Sequence, residues 1–372
     1  MLINGKKVDF IPGQTVLEAA QENGIRIPSL CHLKGTNPTG SCRICLVEVE
    51  GHRNLETSCT LPAEAGMVIQ TESSAVIEAR KSNLELLLAS GNHNCAISSS
   101  KNGEDWTEFQ LKVHKSDESQ NLCPAWGDCE LQNLAYEYQV SIDNYDHKES
   151  IYPTELANPL IIRDFSRCIL CGRCVKACNE VQVNRAISMG YRGSAAKVVT
   201  AGDKTLAESD CVFCGECIQA CPVGALVEKK ARHEWRPWKT EKIRTTCPYC
   251  GVGCQQLLHV QDGKIVKVTG VEDGEPNKGR LCVKGRFGYD FIYSDERLKT
   301  PLIKENNEFR EASWDEALDL VANKFKQIIT ESGPDALAGV SCARSINEDS
   351  YQMQKLFRAV IKTNNIDHCA RT

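Results

Sequence analysis

The sequence predicts a multidomain α+β protein made of several small modules followed by the beginning of a larger α/β domain. The chain has 372 residues and 21 cysteines. Nearly all of the cysteines fall into five groups between Cys31 and Cys282, with the close spacing typical of metal-cluster ligands. Because metal ligation substitutes for core burial, such modules can be smaller than ordinary domains.

Composition and charge exclude several functional classes. The net charge of −5 gives no support for nucleic-acid binding. The start at Met1 leads into strand-like sequence without a signal peptide, and no apolar run is long enough to span a bilayer. Clustered cysteines without an export signal favour metal over disulfides. We therefore expect a cytoplasmic protein that binds no nucleic acid and does not insert directly into a membrane.

Residues 1–80 predict a ferredoxin-type module. Two short strands flank the turn at Asn4 and Gly5, and Thr15 is placed to cap the helix that follows. Four thiolates then suit one [2Fe-2S] cluster: Cys31, Cys42, Cys45 and Cys59. A structural zinc site has the same number of ligands, but zinc ribbons usually pair two CxxC hairpins and this module has one.

This module also carries a family resemblance. Residues 41–49, Ser-Cys-Arg-Ile-Cys-Leu-Val-Glu-Val, resemble the N-terminal ferredoxin module shared by complex I large iron-sulfur subunits, iron-only hydrogenases and some formate dehydrogenases. The resemblance implies a β-grasp fold for residues 1–80. It also implies that the next segment, residues 81–150, holds a [4Fe-4S] cluster through one His and three Cys.

The ligand spacing of residues 81–150 departs from the family pattern H-x3-C-x2-C-x5-C. Ser98 occupies the position of the middle cysteine. The polar residues 98–120 indicate a surface insertion, since lengthening a loop adds little to the entropic cost of closing it. The resemblance then implies these ligands: His93, Cys95, Cys123 and Cys129. His114 inside the insertion is the rival to His93. A neutral imidazole in place of a thiolate raises the potential of a cluster.

Residues 151–235 contain an internal repeat of two four-cysteine runs, each with the spacing C-x2-C-x2-C-x3-C. In two-cluster ferredoxins the fourth cysteine of each run ligates the other cluster. One [4Fe-4S] cluster is therefore assigned to Cys168, Cys171, Cys174 and Cys221. The other [4Fe-4S] cluster is assigned to Cys211, Cys214, Cys217 and Cys178. A disulfide interpretation would require eight thiols to pair inside an intracellular protein.

Residues 240–300 form another four-thiolate set with room for a [4Fe-4S] cluster: Cys247, Cys250, Cys254 and Cys282. Residues 246–254, Thr-Cys-Pro-Tyr-Cys-Gly-Val-Gly-Cys, and 282–287, Cys-Val-Lys-Gly-Arg-Phe, resemble the N-terminal signature of molybdopterin oxidoreductases. In that family the lysine of the second motif lies between the cluster and a pterin. The resemblance implies that Lys284 is an electron relay, although a lysine by itself is more often simply solvated.

Residues 301–372 read as the start of an α/β catalytic domain. The pattern predicts a helix from Trp314 capped by Ser313, a buried strand within 336–342, and a helix over 351–361. Residues 341–372 resemble molybdenum- or tungsten-dependent formate dehydrogenases, in which selenocysteine commonly follows as the metal ligand. We expect an in-frame UGA codon, which would encode this selenocysteine, directly after the codon for Thr372. The catalytic residue would then lie outside this chain.

These observations favour the N-terminal part of a formate dehydrogenase catalytic subunit. The resemblance implies one [2Fe-2S] and four [4Fe-4S] clusters, with a bis-molybdopterin guanine dinucleotide carrying Mo or W in the full-length protein. The expected partner is a flavin-containing NAD(P) subunit, a hydrogenase or a ferredoxin. A complex I type large subunit and a stand-alone electron-transfer protein are the alternatives, while the catalytic cysteine motifs of iron-only hydrogenase are absent.

Overall fold

The structure is a computed structural model that describes residues 1–91, 93, 123–141, 144–145 and 151–369. The chain forms two compact units: residues 1–241 with 260–267, and residues 242–259 with 268–372. Within the described ranges, no helix combines the length and apolar character needed to cross a bilayer.

The N-terminal module is a five-stranded sheet of order β2-β1-β5-β3-β4 with one helix packed against it. Its elements are β1 (Leu2–Ile3), β2 (Lys6–Lys7), α1 (Val16–Glu22), β3 (Leu46–Val49), β4 (Glu56–Thr57) and β5 (Val68–Gln70). Strand β1 pairs antiparallel with β2 and parallel with β5. The predicted helix cap is confirmed, because Thr15 and Glu18 form a reciprocal capping box at the start of α1.

Among the described residues that follow this module, two helices pack together. They are α2 (Ser74–Ala89) and α3 (Glu130–Glu137). Leu84 and Leu88 of α2 lie on one face of the helix and are fully buried. They belong to a hydrophobic core that also contains Leu131 and Leu134 of α3. This core lies beside the loop that carries the first cysteines.

The repeated cysteine runs lie among short strands and helices. These are β6 (Ile161–Arg163), α4 (Arg173–Lys176), β7 (Ile187–Gly190), β8 (Lys197–Thr200), α5 (Glu216–Ala220) and β9 (Leu226–Glu228). Strand β6 pairs antiparallel with β9, and β7 pairs antiparallel with β8. Helix α4 continues into a π-helical turn, Ala177–Val181. Each run thus places its central cysteines at the start of a short helix.

A three-stranded sheet follows, of order β10-β11-β12. Its strands and the next helix are β10 (Glu241–Thr246), β11 (Gln255–Gln261), β12 (Lys264–Gly270) and α6 (Val283–Phe287). A Cβ atom at Gly270 would lie 1.8 Å from the carbonyl oxygen of Gly279. Only glycine allows this approach, which brings the loop before Cys282 against the end of β12.

The remaining elements form an α/β arrangement. They are β13 (Leu302–Glu305), β14 (Glu308–Glu311), α7 (Trp314–Ser332), β15 (Gly339–Ser341), α8 (Asn347–Lys355) and β16 (Ile366–His368). Strand β15 pairs parallel with β16, and β13 pairs antiparallel with β14. The predicted cap is confirmed, because the Ser313 side chain accepts a bond from the backbone N–H of Glu316 at 3.2 Å.

Two sequence predictions about this region are wrong in detail. The strand was expected to be buried, yet the Val340 side chain is 72% exposed. A Cβ atom at Gly339 would lie 2.7 Å from the Phe357 ring, so the neighbouring Val340 points to the opposite side of the strand. The following helix begins at Asn347 rather than Tyr351, and it continues as a π-helical turn, Leu356–Ile361.

Candidate metal centres

The structure gathers the four cysteines of the first set at the edge of the N-terminal sheet. All four are buried: Cys31, Cys42, Cys45 and Cys59. The backbone N–H of Leu30 donates to the Cys42 sulfur at 3.4 Å, and the backbone N–H of Cys42 donates to the Cys31 sulfur at 3.5 Å. Backbone donors aimed at sulfur favour thiolates over thiols.

The thiol pKa values of this set indicate mutual contact. Hydrogen bonds from Cys42 and Cys59 hold the pKa of Cys31 far below its ordinary value, despite burial. A hydrogen bond from Cys59 lowers the pKa of Cys45 to about 7. Hydrogen bonding within the group raises the pKa values of Cys42 and Cys59 well above their ordinary value, so these two thiols act as donors to Cys31 and Cys45. The four sulfurs therefore form one contiguous hydrogen-bonded group, which fits the ligand set of a [2Fe-2S] cluster.

The second set is only partly within the described residues. Cys95 and the rival His114 lie outside them, so the spacing of the complete set is a prediction that the structure leaves open. His93 is buried, with 4% of its surface exposed. A Cβ atom at Gly91 would lie 3.4 Å from its Nε2 atom and 2.3 Å from the carbonyl oxygen of Ser166. His93 is thus packed in the interior rather than held in a solvated loop.

The two described cysteines of this set lie in the same core. Cys129 is buried at the start of α3, and Cys123 packs against that core. A Cβ atom at Gly224 would lie 3.2 Å from the Cys123 sulfur. Gly224 therefore leaves room for Cys123 next to the second run of the paired module.

Four sulfurs of the paired module line one apolar cavity. They belong to the set predicted by the crossed assignment: Cys168, Cys171, Cys174 and Cys221. Cys217 of the other set also lines this cavity. Burial raises the pKa of Cys168 to about 11 and that of Cys171 to about 12. Buried thiols without a nearby cation stay protonated, whereas bound iron would stabilise the thiolates, so the donor set fits a [4Fe-4S] cluster.

Three cysteines of the other crossed set also lie close together, namely Cys211, Cys214 and Cys178, while the fourth, Cys217, lines the cavity of the first set. The pKa of Cys211 is raised by burial and then by the nearby Cys214 and Cys178. Cys178 comes from the first run, so its sulfur lies close enough to the second run to interact electrostatically. The backbone N–H of Ala186 donates to the Cys178 sulfur at 3.3 Å, and that of Phe213 donates to the Cys211 sulfur at 3.4 Å.

The internal repeat extends to the backbone conformation. Leu170 and Phe213, which occupy the same position in the two runs, have φ values of 53° and 54°. The glycines that follow the second cysteine of each run, Gly172 and Gly215, have φ values of 75° and 74°. Left-handed residues turn the chain sharply and direct backbone N–H groups toward one side, a geometry suited to an anionic cluster.

The fifth set belongs to the second unit. Cys247 is buried and Cys282 is exposed. The pKa of Cys254 is raised by burial and then by the charges of Cys247, Cys250 and Cys282. All four sulfurs therefore lie within electrostatic range, as a [4Fe-4S] ligand set requires. Lys284, the predicted relay, lies two residues after Cys282, with its Nζ atom 5.9 Å from the centre of the Tyr249 ring.

A single apolar core joins three of the five sets. It contains cysteines of the first, second and third sets: Cys31, Cys42, Cys123, Cys129, Cys168, Cys171 and Cys221. Within the described ranges, no group of three or more His, Cys, Asp or Glu side chains converges as the ligands of one single metal ion would. The thiol chemistry and the grouping of these sets therefore fit multi-iron clusters better than a single metal ion.

Two buried cations near the first set were missed by sequence reasoning. Arg80 of α2 is fully buried and donates to the carbonyl oxygens of Ile44 at 2.9 Å and Leu46 at 2.8 Å, on either side of Cys45. Lys176 of α4 is also buried and lies beside Cys31. A charged residue inside an apolar helix pattern was the only available signal for Arg80.

Two cysteines outside the five sets also meet. Cys342 follows β15 and Cys369 follows β16, and their sulfurs are 3.3 Å apart. The hydrogen bond from Cys342 is the main reason that the pKa of Cys369 lies below its ordinary value. Their contact depends on the pairing of the two parallel strands that precede them.

Family models match successive parts of the chain. Residues 1–74 match a 2Fe-2S iron-sulfur cluster binding domain, and residues 158–227 match the ferredoxin-like domain of NADH-quinone oxidoreductase subunit 3. Residues 240–294 match the molybdopterin oxidoreductase Fe4S4 domain, and residues 297–372 match molybdopterin oxidoreductase.

Known relatives match the whole chain. It is 36% identical over 371 residues to the NADPH-Fe(3+) oxidoreductase subunit alpha of Geobacter sulfurreducens, covering 100% of this chain and 40% of that protein. It is 34% identical over 407 residues to a Staphylococcus aureus protein named "Putative formate dehydrogenase", covering 99% of this chain and 39% of that one. The chain thus spans about 40% of the length of these curated relatives.

A solved structure is similar to the larger part of the chain. It is a chain of the NAD+-reducing [NiFe]-hydrogenase in the H2-reduced state, with 32% sequence identity and a TM-score of 0.53. The match covers 63% of this chain and 88% of the hydrogenase chain.

Proposed function

The chain belongs to the molybdopterin oxidoreductase family, in a form that carries additional iron-sulfur modules at its N-terminus, and on this premise we propose that it is the electron-relay part of a formate dehydrogenase catalytic subunit. In the complete protein it would carry electrons between a formate/CO2 site and a redox partner. The 34% identical relative named as a formate dehydrogenase supports this choice of substrate.

The observation that carries the proposal is the common core of three ligand sets in the first unit. The sulfurs of Cys31, Cys129 and Cys168 represent three predicted clusters, and they pack around one continuous apolar interior. Low polarity and close spacing suit one-electron transfer between clusters, because little solvent must reorganise and the clusters are protected from water.

Each proposed cluster has a defined ligand set. The first module holds [2Fe-2S], and the paired module holds two [4Fe-4S] clusters on the crossed sets. A further [4Fe-4S] cluster uses His93, Cys95, Cys123 and Cys129. The last uses Cys247, Cys250, Cys254 and Cys282, with Lys284 beside it as the proposed relay.

A bis-molybdopterin guanine dinucleotide with Mo or W, when bound to the complete protein, would supply the two-electron chemistry that converts formate to carbon dioxide and one proton. Residues 297–372 match this family's molybdopterin oxidoreductase domain. The role of the residues described here is different. Their cysteines would hold clusters that supply one-electron transfer between the formate site and the partner's site.

We propose a cytoplasmic protein whose partner is a flavin-containing NAD(P) subunit, a hydrogenase or a ferredoxin. The relatives' names support an assembly of several subunits, since one is an alpha subunit and the solved neighbour is an NAD+-reducing hydrogenase. We also propose that the 372-residue chain by itself does not oxidise formate, because it spans about 40% of the length of its curated relatives and metal chemistry needs a complete coordination site.

The test uses protein purified anaerobically from its own host, with its clusters oxidised. Formate is added, and cluster reduction is followed by loss of visible absorbance. The recombinant 372-residue chain, reconstituted with iron and sulfide, is the matched control. We expect formate to reduce the clusters of the host protein and not those of the chain. Failure of formate to reduce either preparation, with molybdenum or tungsten present in the host protein, would contradict the proposed substrate.

A second candidate is an NAD(P)H-linked relay in which the molybdopterin-type domain binds no substrate, as in a complex I type subunit. The 36% identity to an NADPH-Fe(3+) oxidoreductase subunit favours it. The same experiment separates the two functions. Reduction by NADPH through the co-purified partner, without reduction by formate and without molybdenum or tungsten, would support the second candidate.

A further inference from the structure

Helix α4 and its π-helical extension contact the loop that carries the first ligand of the N-terminal module. The Lys176 Nζ atom lies 3.5 Å from the carbonyl oxygen of Cys31 and 3.4 Å from the hydroxyl of Thr39. The Glu180 carboxylate accepts a bond from the backbone N–H of Asn37 at 2.9 Å. Two modules that are far apart in sequence therefore meet at the backbone of a predicted [2Fe-2S] ligand.

Lys176 reaches this position from the other ligand set. It lies two residues after Cys174, a predicted ligand of the first [4Fe-4S] cluster of the paired module. Its side chain then extends to Cys31 of the N-terminal module. Lys176 thus lies between the two ligand sets, in contact with one and adjacent in sequence to the other.

The environment preserves the effect of this charge. Only 6% of Lys176 is exposed, and in the described part of the chain no carboxylate forms an ion pair with it. A buried ammonium acts on nearby charges through a lower effective dielectric than a solvated one, so its field is less screened. Reduction of a [2Fe-2S] cluster adds one negative charge within this field.

We propose that Lys176 is a positioning residue that raises the reduction potential of the [2Fe-2S] cluster held by Cys31, Cys42, Cys45 and Cys59. Its positive charge stabilises the reduced, more negative state, and its hydrogen bond to the Cys31 carbonyl fixes the ligand loop against α4. The higher reduction potential makes electron transfer from the clusters of the paired module to this cluster more favourable. The inference rests on the proposed function in one respect, namely that the first set binds [2Fe-2S].

The lysine is a point of difference between the two repeats. Lysine in a run of cysteines is usually solvated, and the run in the second repeat has Gln219 at the equivalent position, one residue after Ile218. The two repeats therefore share ligand spacing but differ in charge at this point. Only the first repeat contacts the N-terminal module through a buried cation.

The experiment is a potentiometric titration of the anaerobic, fully reconstituted chain, with the reduced [2Fe-2S] signal followed by electron paramagnetic resonance. Measurements are made at temperatures where the four-iron clusters relax too fast to contribute. The variants are Lys176→Met, which removes the charge, and Lys176→Arg, which keeps it. Lys204→Met, which removes an exposed lysine from the same module, is the matched control.

We expect Lys176→Met to shift the [2Fe-2S] midpoint to a lower potential with its signal intensity retained. Lys204→Met should leave the midpoint unchanged, and Lys176→Arg should restore most of the native value. An unchanged midpoint in Lys176→Met, with the cluster intact, would overturn the proposal.

If Lys176→Met loses the cluster, Lys176→Gln replaces it, since glutamine keeps an N–H donor for Cys31 and Thr39 without the charge. A lowered midpoint in Lys176→Gln supports the electrostatic role, and a native midpoint refutes it. Absence of any [2Fe-2S] signal in the native chain is a different result. It would remove the cluster assignment itself and with it the proposed relay.

Discussion

At the scale of single residues, buried cations organise the first ligand set. Arg80 donates to the carbonyls before and after Cys45, and its Nη1 atom also donates to the Tyr138 hydroxyl and the Glu72 carboxylate, each at 2.7 Å. These four bonds join α2, the ligand loop and the end of α3. Spacing rules identify the cysteines, whereas the residues that hold the ligand backbone are visible only in the folded chain.

We predict that Arg80→Met weakens this arrangement. Two carbonyl oxygens and one hydroxyl would lose their donor in a buried place, which costs about 2–3 kcal/mol. For a unit of this size that loss lowers the thermal midpoint by about 5–10 °C. The measurement is thermal loss of [2Fe-2S] absorbance, with Lys81→Met on the exposed side of α2 as the control. Equal midpoints in the two variants would contradict the role of Arg80.

A second prediction at this scale concerns the pair Cys342 and Cys369. The hydrogen bond from Cys342 holds the Cys369 pKa below its ordinary value, so the Cys369 thiolate persists to lower pH. Cys342→Ala removes the donor and should raise that pKa. Alkylation of Cys369 at neutral pH, followed by peptide mass spectrometry, should become slower and its pH profile should move upward. Ser341→Ala is the control, and an unchanged profile in Cys342→Ala would refute the coupling.

At the scale of secondary-structure elements, the sequence predicts the helix starts correctly where a single capping side chain determines them. Thr15 and Ser313 cap their helices as predicted, because capping depends on neighbours three residues away. Burial was predicted less well. Val340 is exposed because the other side of its strand packs on Phe357, a contact that sequence alone does not specify.

The crossed ligand assignment of the paired module gives an element-scale prediction. Cys178 lies in the first run, yet we expect it to ligate the cluster of the second run. Cys178→Ala should therefore perturb the same resonance signal as Cys217→Ala and a different one from Cys174→Ala. Iron analysis of each variant, with Cys342→Ala as the control outside the five sets, checks cluster loss. A Cys178→Ala spectrum matching that of Cys174→Ala would show that the runs are not crossed.

At the scale of the whole molecule, the ligand sets were more predictable than their mutual arrangement. Cysteine spacing depends on a few neighbouring residues, so the five sets could be proposed from the sequence. The common core of Cys31, Cys129 and Cys168 depends on packing among residues that are far apart in the chain, and the sequence did not predict it. The complete His93 set remains a prediction, because Cys95 lies outside the described residues.

The central claim is that this chain is an iron-sulfur electron relay, and the most direct measurement is metal and sulfide analysis of anaerobically purified, reconstituted chain. One [2Fe-2S] and four [4Fe-4S] clusters predict about eighteen irons and about eighteen acid-labile sulfides per chain, all in centres that dithionite reduces. Stoichiometric zinc with little acid-labile sulfide and no reducible centre would contradict the account.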